Sequence, residues 1–246
     1  SDVALPISIR AASEALCAPL EVEDFGVQPM ADASPPKWHL AHSTWFFETF
    51  LLEPYLGSAH RPFHPAYAML FNSYYNGVGE QFPRPDRGHL SRPTVREVLA
   101  YRAHVDAAML ELLARREDPE LHHRVVVGLH HEQQHQELLL TDVKANFGRN
   151  PLHPSYAPAS GAPTGALVPS LTFSRHAGGV VHVGADGGAA TDYEAFVFDN
   201  ETPRHRVWLE DFELADRLVT SGEWLEFMES GAYREPALWL SDGWTT

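Results

Sequence analysis

The 246-residue sequence has a single cysteine, Cys17, and far fewer basic than acidic side chains. One thiol cannot form a disulfide within the chain, so no disulfide framework supports the fold. Lysine and arginine together number 18, against 33 aspartate and glutamate residues. Binding to nucleic acid needs clustered basic side chains that neutralise phosphates, so this balance argues against it.

Long apolar runs and a leader pattern are also missing. No stretch reaches the ~20 apolar residues of a membrane-spanning helix. The segment SDVALPISIR lacks the basic and apolar regions of a signal peptide. Together with the lone thiol, these features predict a protein of the reducing cytoplasm that does not contact membranes. The apolar share of 44% is still large enough for a sizeable core.

Four segments in the first part of the chain have the apolar periodicity and the end signals of helices. Ser34 and Asp118, each followed by proline, are typical helix starts. A third apolar stripe begins near Thr94. The predicted helices cover residues 4–19, 34–54, 94 onward and 118–147, the last with Gly148 as its C-cap. Together they predict an antiparallel four-helix bundle.

The rest of the chain differs in composition. Residues 55–92 are rich in Pro, Gly, Tyr and Phe, and irregular segments of such length in compact domains tend to be functional. Residues 150–170 are rich in Pro, Ala, Gly and Ser, as linkers are. Strand-like runs follow at GGVVHVGA and HRVWLEDFELA, and SGEWLEFMESGAY has a helix pattern. The sequence therefore predicts an α+β chain.

Histidine is abundant, with 15 residues, and it is clustered. His131 and His135 in HHEQQHQE stand four apart on a predicted helix, so they lie on one face, one turn apart. Two imidazoles so placed can bind one metal ion, and Glu137 or another carboxylate can orient a ligand from outside the coordination sphere. A third ligand can come from His39 or His42 in WHLAH, because facing helices of a bundle build metal sites in its core.

Two other interpretations of these histidines stay open at this point. Paired histidines on helices can be surface or core residues that hold no ligand. The run His-Glu-Gln-Gln-His also fits the zinc-protease pattern H-E-x-x-H, in which Glu132 would be the general base. However, the glycine and third histidine of the metzincin extension are missing after His135, and a third ligand upstream does not fit the zinc-protease order.

Five motifs occur in order along nearly the whole chain: PPKWHLAHSTWFFETFLL, FNSYYNGVG, PRPDRGHLSRPT, HHEQQHQELLLTD and DNETPRHRVWLEDFELADRLVTSGEWLEFM. Together they resemble the ergothioneine-pathway sulfoxide synthases, which join a DinB-like bundle to a domain similar to the formylglycine-generating enzymes. The resemblance implies a DinB-like helical iron-binding domain over residues 1–150 and a linker over 151–170. Residues 171–246 would be the N-terminal part of a formylglycine-generating-enzyme/C-type-lectin-like α+β domain, with further substrate contacts coming from beyond it.

The resemblance implies one non-haem iron(II) ion held by three histidines, with dioxygen as co-substrate. His131 and His135 match the family pattern H-x-x-x-H-x-E, with Glu137 as the trailing carboxylate. His42 matches the family's first histidine, so His39 becomes its neighbour. Three protein ligands on an octahedral ion leave three positions open, enough for a substrate imidazole, a thiolate and dioxygen.

The remaining site residues also follow from the resemblance. Gln134 corresponds to a hydrogen-bond partner of the substrate imidazole. Tyr74 and Tyr75 resemble the active-site tyrosine pair of the branch that uses free cysteine, where a phenol can donate a proton. Arg84 and Arg87 can hold the carboxylate of the thiol substrate, because guanidinium groups bind carboxylates bidentately.

The implied function is oxidative carbon–sulfur bond formation between Nα-trimethylhistidine and cysteine or γ-glutamylcysteine, with the sulfur leaving as a sulfoxide. A selenoneine- or ovothiol-type synthase acting on histidine is one alternative. A DinB-type thiol transferase or metal-binding module is another. Each interpretation expects small-molecule partners and neither nucleic acid nor membrane, and the sequence does not predict the oligomeric state.

Overall fold

The computed structural model of the chain describes residues 4–158, 167–187 and 192–246. Contacts divide the chain into two compact units. One consists of Ser1–Ser160 with Asp186–Thr202, and the other of Gly161–Ala185 with Pro203–Thr246. The first unit is helical and the second contains β-strands, which confirms the predicted α+β class. The borders at residues 150 and 170 stay predictions, and residues 186–202 belong by their contacts to the helical unit.

The helical unit contains the four long helices that the sequence predicts, together with two short ones. In chain order they are α1 (Ala4–Cys17), α2 (Pro36–Phe47), α3 (Glu53–Leu56), α4 (Tyr67–Leu70), α5 (Val95–Arg115) and α6 (Pro119–Arg149). One turn of π-helix, Glu48–Leu52, joins α2 to α3. In the part of the chain that the structure describes, no helix combines the length and the apolar character needed to cross a membrane.

The starts of the long helices follow from their capping residues. Thr94 Oγ1 accepts a hydrogen bond from the amide of Glu97, and the Glu97 carboxylate accepts one from the amide of Thr94, which forms a capping box for α5. Asp118 caps α6 as predicted. The predicted cap Ser34 is wrong, because Pro35 occupies the N-cap position of α2 and has no side-chain cap bond.

The longest helix is α6, whose 31 residues correspond to roughly 46 Å at 1.5 Å per residue. It ends at Arg149, and Asn150 is its C-cap, so the predicted C-cap Gly148 lies inside the helix instead. The amide of Asn150 donates to the carbonyl of Phe147 at 3.2 Å, which closes the last turn. This length carries α6 past the whole of α2 and lets it supply several residues to one site.

Helix α2 lies in the middle of the helical unit and packs against α1, α5 and α6. Every one of its residues is buried, which is expected of a helix surrounded by other elements. Its approach to α6 requires a glycine: a Cβ at Gly128 would lie 2.8 Å from ring atoms of Phe47 and 3.0 Å from Phe46. The two helices that carry the histidine motifs are therefore held close together.

A buried ion cluster lies on another side of α6. The Glu132 carboxylate accepts hydrogen bonds from Arg10 at 2.7 Å, Arg102 at 2.9 Å and Ser13 at 2.6 Å. Burial by itself would raise the pKa of Glu132, but the two guanidinium groups outweigh it and hold the pKa below its usual range. The cluster ties α1 and α5 to α6.

The irregular segment between α3 and α5 is held by side-chain hydrogen bonds. Asn72 donates to the carbonyl groups of Tyr75, Gly79 and Glu80 at 3.2 to 3.3 Å. A 3₁₀ helix, Arg84–His89, follows. This segment packs over α2, where the buried ammonium of Lys37 donates to the carbonyl of Pro93 at 3.2 Å.

The second unit contains two antiparallel strand pairs. Strand β1 (Phe173–His176) pairs with β4 (Phe212–Ala215), and β2 (Gly179–Val183) pairs with β3 (His205–Leu209). Helices α7 (Ser221–Glu229) and α8 (Ser241–Thr245) follow. The strand-like runs and the helix pattern predicted in this region are thus confirmed, and the assignment to a formylglycine-generating-enzyme-like domain stays a prediction.

Replacing Glu132 by glutamine is expected to lower the free energy of unfolding by about 3–5 kcal/mol. The buried Arg10 and Arg102 lose the fully buried carboxylate that they share, and each keeps one more exposed partner, Asp106 and Glu14 respectively. Urea denaturation followed by far-UV circular dichroism measures this change. The matched control is Glu111→Gln, which breaks a 3.4 Å pair between the exposed side chains of Glu111 and Arg115 and should cost less than ~1 kcal/mol. Equal effects of the two changes would show that the buried cluster is not a stabilising core.

Candidate metal centre

Three histidines from two helices converge in the helical unit. His42 comes from α2, and His131 and His135 come from successive turns of α6. One ring nitrogen from each can be chosen so that all three lie within 4.8 Å of one another. Among the described residues, this is the group of histidine, cysteine and carboxylate side chains that could hold a metal ion. The structure therefore brings together the three predicted ligands.

His42 is fixed in orientation by its surroundings. Its ring is stacked between the indoles of Trp38, at 4.5 Å, and Trp45, at 5.5 Å. Its Nδ1 lies 2.6 Å from the carbonyl oxygen of Phe71, which can only accept a hydrogen bond. The proton of neutral His42 is therefore on Nδ1, and Nε2 keeps the lone pair that a metal ion would bind.

His131 has a ring nitrogen that the protein leaves unsatisfied. Its Nδ1 is buried and has no hydrogen-bond partner among the described residues. Buried polar atoms without a hydrogen-bond partner are rare and destabilising. A buried imidazole nitrogen whose lone pair accepts no hydrogen bond, beside two other imidazoles, fits a metal ligand. The donor set, three imidazoles, suits iron, zinc or copper ions. The residues present thus fit a transition-metal ion.

Hydrogen bonds link His135 to two further buried side chains, those of His39 and Asp142. Nδ1 of His135 lies 2.9 Å from Nδ1 of His39, whose Nε2 lies 2.9 Å from Oδ2 of Asp142. The backbone amide of Ser34 donates to the same oxygen at 2.8 Å. Of the two histidines in WHLAH, His42 faces the cluster directly and His39 lies behind His135.

Burial keeps the clustered imidazoles neutral. It holds the pKa values of His42 and His135 well below their usual range, and the proximity of the histidines to one another adds to the effect. Burial likewise lowers the pKa of His131, to about 4. Neutral imidazole is the form that binds metals, so the site is ready for an ion at neutral pH.

A cavity of about 650 Å³ opens beside His131 in the helical unit. Its wall on the helix side includes Phe46, His123 and Gln134, so the predicted substrate-binding glutamine lies at the cavity. Its other wall consists of Gly187 and of residues from the segment 192–202. This segment is fixed to α6 at His130, whose ring is stacked on Tyr193 at 4.4 Å and on Phe196 at 4.3 Å.

The two predicted catalytic tyrosines lie in different places. Tyr75 is partly buried, packs on Trp45 at 5.4 Å and lines the cavity, and burial raises the pKa of its phenol. Tyr74 is 74% exposed and is not among the cavity-lining residues. Its hydroxyl accepts a hydrogen bond from Arg84 at 2.5 Å. The structure thus places Tyr75, and not Tyr74, at the cavity that His131 also lines.

The two predicted carboxylate-binding arginines lie behind α2. Arg87 is buried, stacks over the Trp38 ring at 3.4 Å, and donates to the hydroxyls of Ser34 and Ser73 at 2.9 Å each. Burial lowers the pKa of Arg87 to about 10. In both arginines a further nitrogen, Nε, is buried and has no hydrogen-bond partner within the described part of the chain. Neither residue lines the cavity, so their substrate-binding role stays a prediction.

The two glutamates of HHEQQHQE do not face the histidine cluster. Glu137 is exposed on α6 and, among the described residues, makes no side-chain hydrogen bond to a ligand histidine. Glu132 lies in the buried ion cluster, hydrogen-bonded to Arg10 and Arg102. A zinc-protease base must face the metal, so the structure excludes that role for Glu132.

Several residues at the site were not predicted. Asp142 stands seven residues after His135 on α6, and that spacing of two helical turns was a signal that could have revealed it. Trp38 and Trp45 flank His42 at helical spacings of four and three, and could have been recognised in the same way. The cavity wall formed by Gly187 and residues from 192–202 has no local sequence signal, because its contacts with α6 are distant in sequence.

The profile of the DinB superfamily matches residues 8–139, more than half of the chain, and this range contains all three clustered histidines. The chain belongs to the DinB superfamily. The DinB region covers α1 through most of α6, the part of the structure that forms the bundle.

This DinB chain is also similar to three proteins named hercynine oxygenase. It is 30% identical over 217 residues to those of Mycolicibacterium smegmatis and Mycolicibacterium thermoresistibile, and over 213 residues to that of Mycobacterium tuberculosis. Each alignment covers 86% of this chain but only 44–46% of the relative. The chain thus spans about half the length of the curated relatives it matches. These relatives confirm the resemblance that the sequence motifs indicate.

The metal-free DinB unit is expected to lose stability as the pH falls from about 6.5 to about 4. Unfolded His131 takes up a proton near pH ~6.5, whereas the folded pKa is about 4. Between these pH values unfolding is accompanied by proton uptake, so the free energy of unfolding falls as the pH falls. The loss is absent above the window and reaches on the order of 3 kcal/mol below it. Urea unfolding at several pH values should show a weaker pH dependence for His131→Phe than for the unchanged protein, and identical slopes would contradict the assignment.

Proposed function

We propose that this protein is a non-haem iron(II)- and dioxygen-dependent sulfoxide synthase that joins cysteine or γ-glutamylcysteine to the imidazole of Nα-trimethylhistidine (hercynine). The observation that carries the proposal is the cluster of His42, His131 and His135 beside a cavity, in a chain similar to proteins named hercynine oxygenase. The enzyme class, the iron and the carbon–sulfur chemistry are all part of this proposal.

The three histidines would hold iron(II) through ring nitrogens and leave part of its coordination sphere for small molecules. The bound ion would supply activation of dioxygen and a binding position for sulfur. Because all three protein ligands are neutral, an anionic thiolate is a favourable further ligand. The buried, largely aromatic surroundings of His42 exclude water and strengthen this charge interaction.

The overall reaction balances without an external reductant. The thiol S–H and the C–H between the two imidazole nitrogens are lost, a C–S bond and an S–O bond form, and the second oxygen atom of dioxygen leaves as water. The four electrons that dioxygen accepts come from the two substrates.

The cavity provides groups that can orient the substrate imidazole. Gln134 lies at the cavity with His131, so its side-chain amide can form a hydrogen bond to an imidazole bound beside the cluster. Tyr75 lines the same cavity, and its raised pKa keeps the phenol protonated and able to donate a proton. The Nη atoms of Arg84 and Arg87 already donate to Tyr74, Ser34 and Ser73, so a bidentate bond to a substrate carboxylate would have to replace some of these partners. The resemblance of Tyr74 and Tyr75 to the tyrosine pair of the cysteine-using branch favours free cysteine over γ-glutamylcysteine.

A thiol transferase or metal-binding module is the second candidate. It is favoured by one observation, that the whole histidine cluster lies within the region matched by the DinB profile. This candidate predicts metal binding without dioxygen consumption, whereas a synthase acting on a selenium donor or on histidine itself would still consume dioxygen.

Anaerobically purified natural full-length protein, loaded with iron(II) and mixed with Nα-trimethylhistidine and cysteine, is expected to consume dioxygen on exposure to air. Mass spectrometry should detect the two substrates joined, with one added oxygen atom. His42→Ala and His135→Ala should abolish the product, because each removes one metal ligand. His153→Ala, a change on the exposed segment after α6, is the control. Metal binding without dioxygen uptake for any sulfur or selenium donor would contradict the proposal.

Replacing Tyr75 by phenylalanine is expected to lower kcat by ~10²–10⁴-fold, the range for loss of a proton donor. Tyr74→Phe is the matched change in the neighbouring residue and should leave kcat within a few-fold, because the Tyr74 side chain lies outside the cavity. Steady-state dioxygen consumption of both variants gives the comparison. A larger loss for Tyr74→Phe would show that Tyr74, and not Tyr75, donates the proton.

A further inference from the structure

Hydrogen bonds link His135 to His39 and His39 to Asp142, and the chemistry of these groups determines which atom donates and which accepts in each bond. We propose that His39 and Asp142 are positioning residues that fix His135 as an Nε2 ligand, and that His39 links the Asp142 carboxylate to His135 through one intervening imidazole. This inference rests on the metal centre of the proposed function and adds two residues to it.

The direction of these hydrogen bonds follows from Asp142, the acceptor at which they end. A carboxylate can only accept hydrogen bonds, and Oδ2 of Asp142 accepts from the Ser34 amide at 2.8 Å. His39 Nε2, 2.9 Å from the same oxygen, must therefore carry the proton. A neutral imidazole has one donor and one acceptor, so Nδ1 of His39 accepts, and the proton between it and His135 belongs to Nδ1 of His135. The lone pair of His135 is then on Nε2.

The three histidines differ in what supports them. His42 donates to a neutral carbonyl group, that of Phe71. His131 has no partner for Nδ1 among the described residues. His135 is thus the clustered histidine that is linked to an anionic group. Carboxylate–histidine partners of this kind orient metal ligands and increase their basicity.

Burial makes this link effective. His39 is 3% exposed and Asp142 is 9% exposed, so water competes little for their hydrogen bonds. Asp142 is also held by the backbone at Ser34, whose hydroxyl accepts from Arg87. The position of the carboxylate is therefore set by the start of α2 as well as by α6.

Zinc(II) and cobalt(II) affinities, measured by competition with a chelator in the absence of substrates, test the proposal. Asp142→Asn should retain the Ser34 hydrogen bond, because its amide oxygen can occupy the Oδ2 position, and lose only the charge. His39→Gln keeps an oxygen that can accept from His135, and His39→Ala keeps none. We expect affinities ~10–100-fold weaker for His39→Ala, with Asp142→Asn and His39→Gln between it and the unchanged protein.

A spectroscopic readout separates positioning from a general loss of structure. In the zinc-loaded, ¹⁵N-histidine-labelled protein, the Nδ1 proton of His135 should give an exchange-protected NMR signal. The signal should persist in Asp142→Asn and His39→Gln and disappear in His39→Ala. Thermal melts of the same variants establish that each is folded, and His39→Gln decides the matter if Asp142→Asn does not fold.

The contrasting variant is Glu137→Gln, which changes the exposed carboxylate that the sequence pattern favours. Unchanged affinity in Asp142→Asn and His39→Ala, or weaker binding in Glu137→Gln instead, would overturn the proposal. Because these measurements use metal alone, they are independent of the synthase reaction: absence of sulfoxide product with intact metal binding would contradict the proposed function and leave this inference standing.

Discussion

The complete burial of α2 is the constraint on which the rest of the structure depends. A helix with no exposed face must find internal partners for every polar side chain that it carries. His42 donates to a carbonyl from the irregular segment, His39 is linked to α6, and Lys37 donates to carbonyls before α5. The same bonds that satisfy these groups fix the segments around the helix. The histidine cluster is therefore a consequence of how the bundle is assembled, and not an addition to its surface.

Adjacent residues of α6 have different roles: one stabilises the fold and the other lies in the candidate metal centre. His131 and Glu132 are neighbours in sequence, but about 100° separates their directions around the helix. Glu132 points to Arg10 and Arg102 in the ion cluster, whereas His131 points to His42 and the cavity. The H-E-x-x-H pattern thus contains a structural residue, Glu132, and a candidate metal ligand, His131, and the pattern alone does not distinguish their roles.

The features that the sequence predicted correctly are those determined by residues close together in the chain. Caps and apolar stripes located the long helices, and the spacing of His131 and His135 placed two imidazoles on one face. The resemblance selected His42, which no spacing argument could distinguish from His39. The spacing from His135 left Asp142 as one of several candidates, and only tertiary packing shows that it faces His39. The cavity wall formed by Gly187 and residues from 196–202 depends on contacts distant in sequence and was not predictable. These contacts depend on tertiary packing, which a local pattern does not record.

The two indoles stacked on His42 have a consequence for how the site can be observed. Trp38 and Trp45 are two of six tryptophans, and both lie in van der Waals reach of a candidate metal ligand. An ion with an unfilled d shell at this position would accept excitation energy from them and quench their emission, whereas zinc would not. The fold therefore contains its own optical reporter, in which the intrinsic fluorescence of the protein distinguishes a redox-active ion from an inert one without any added label.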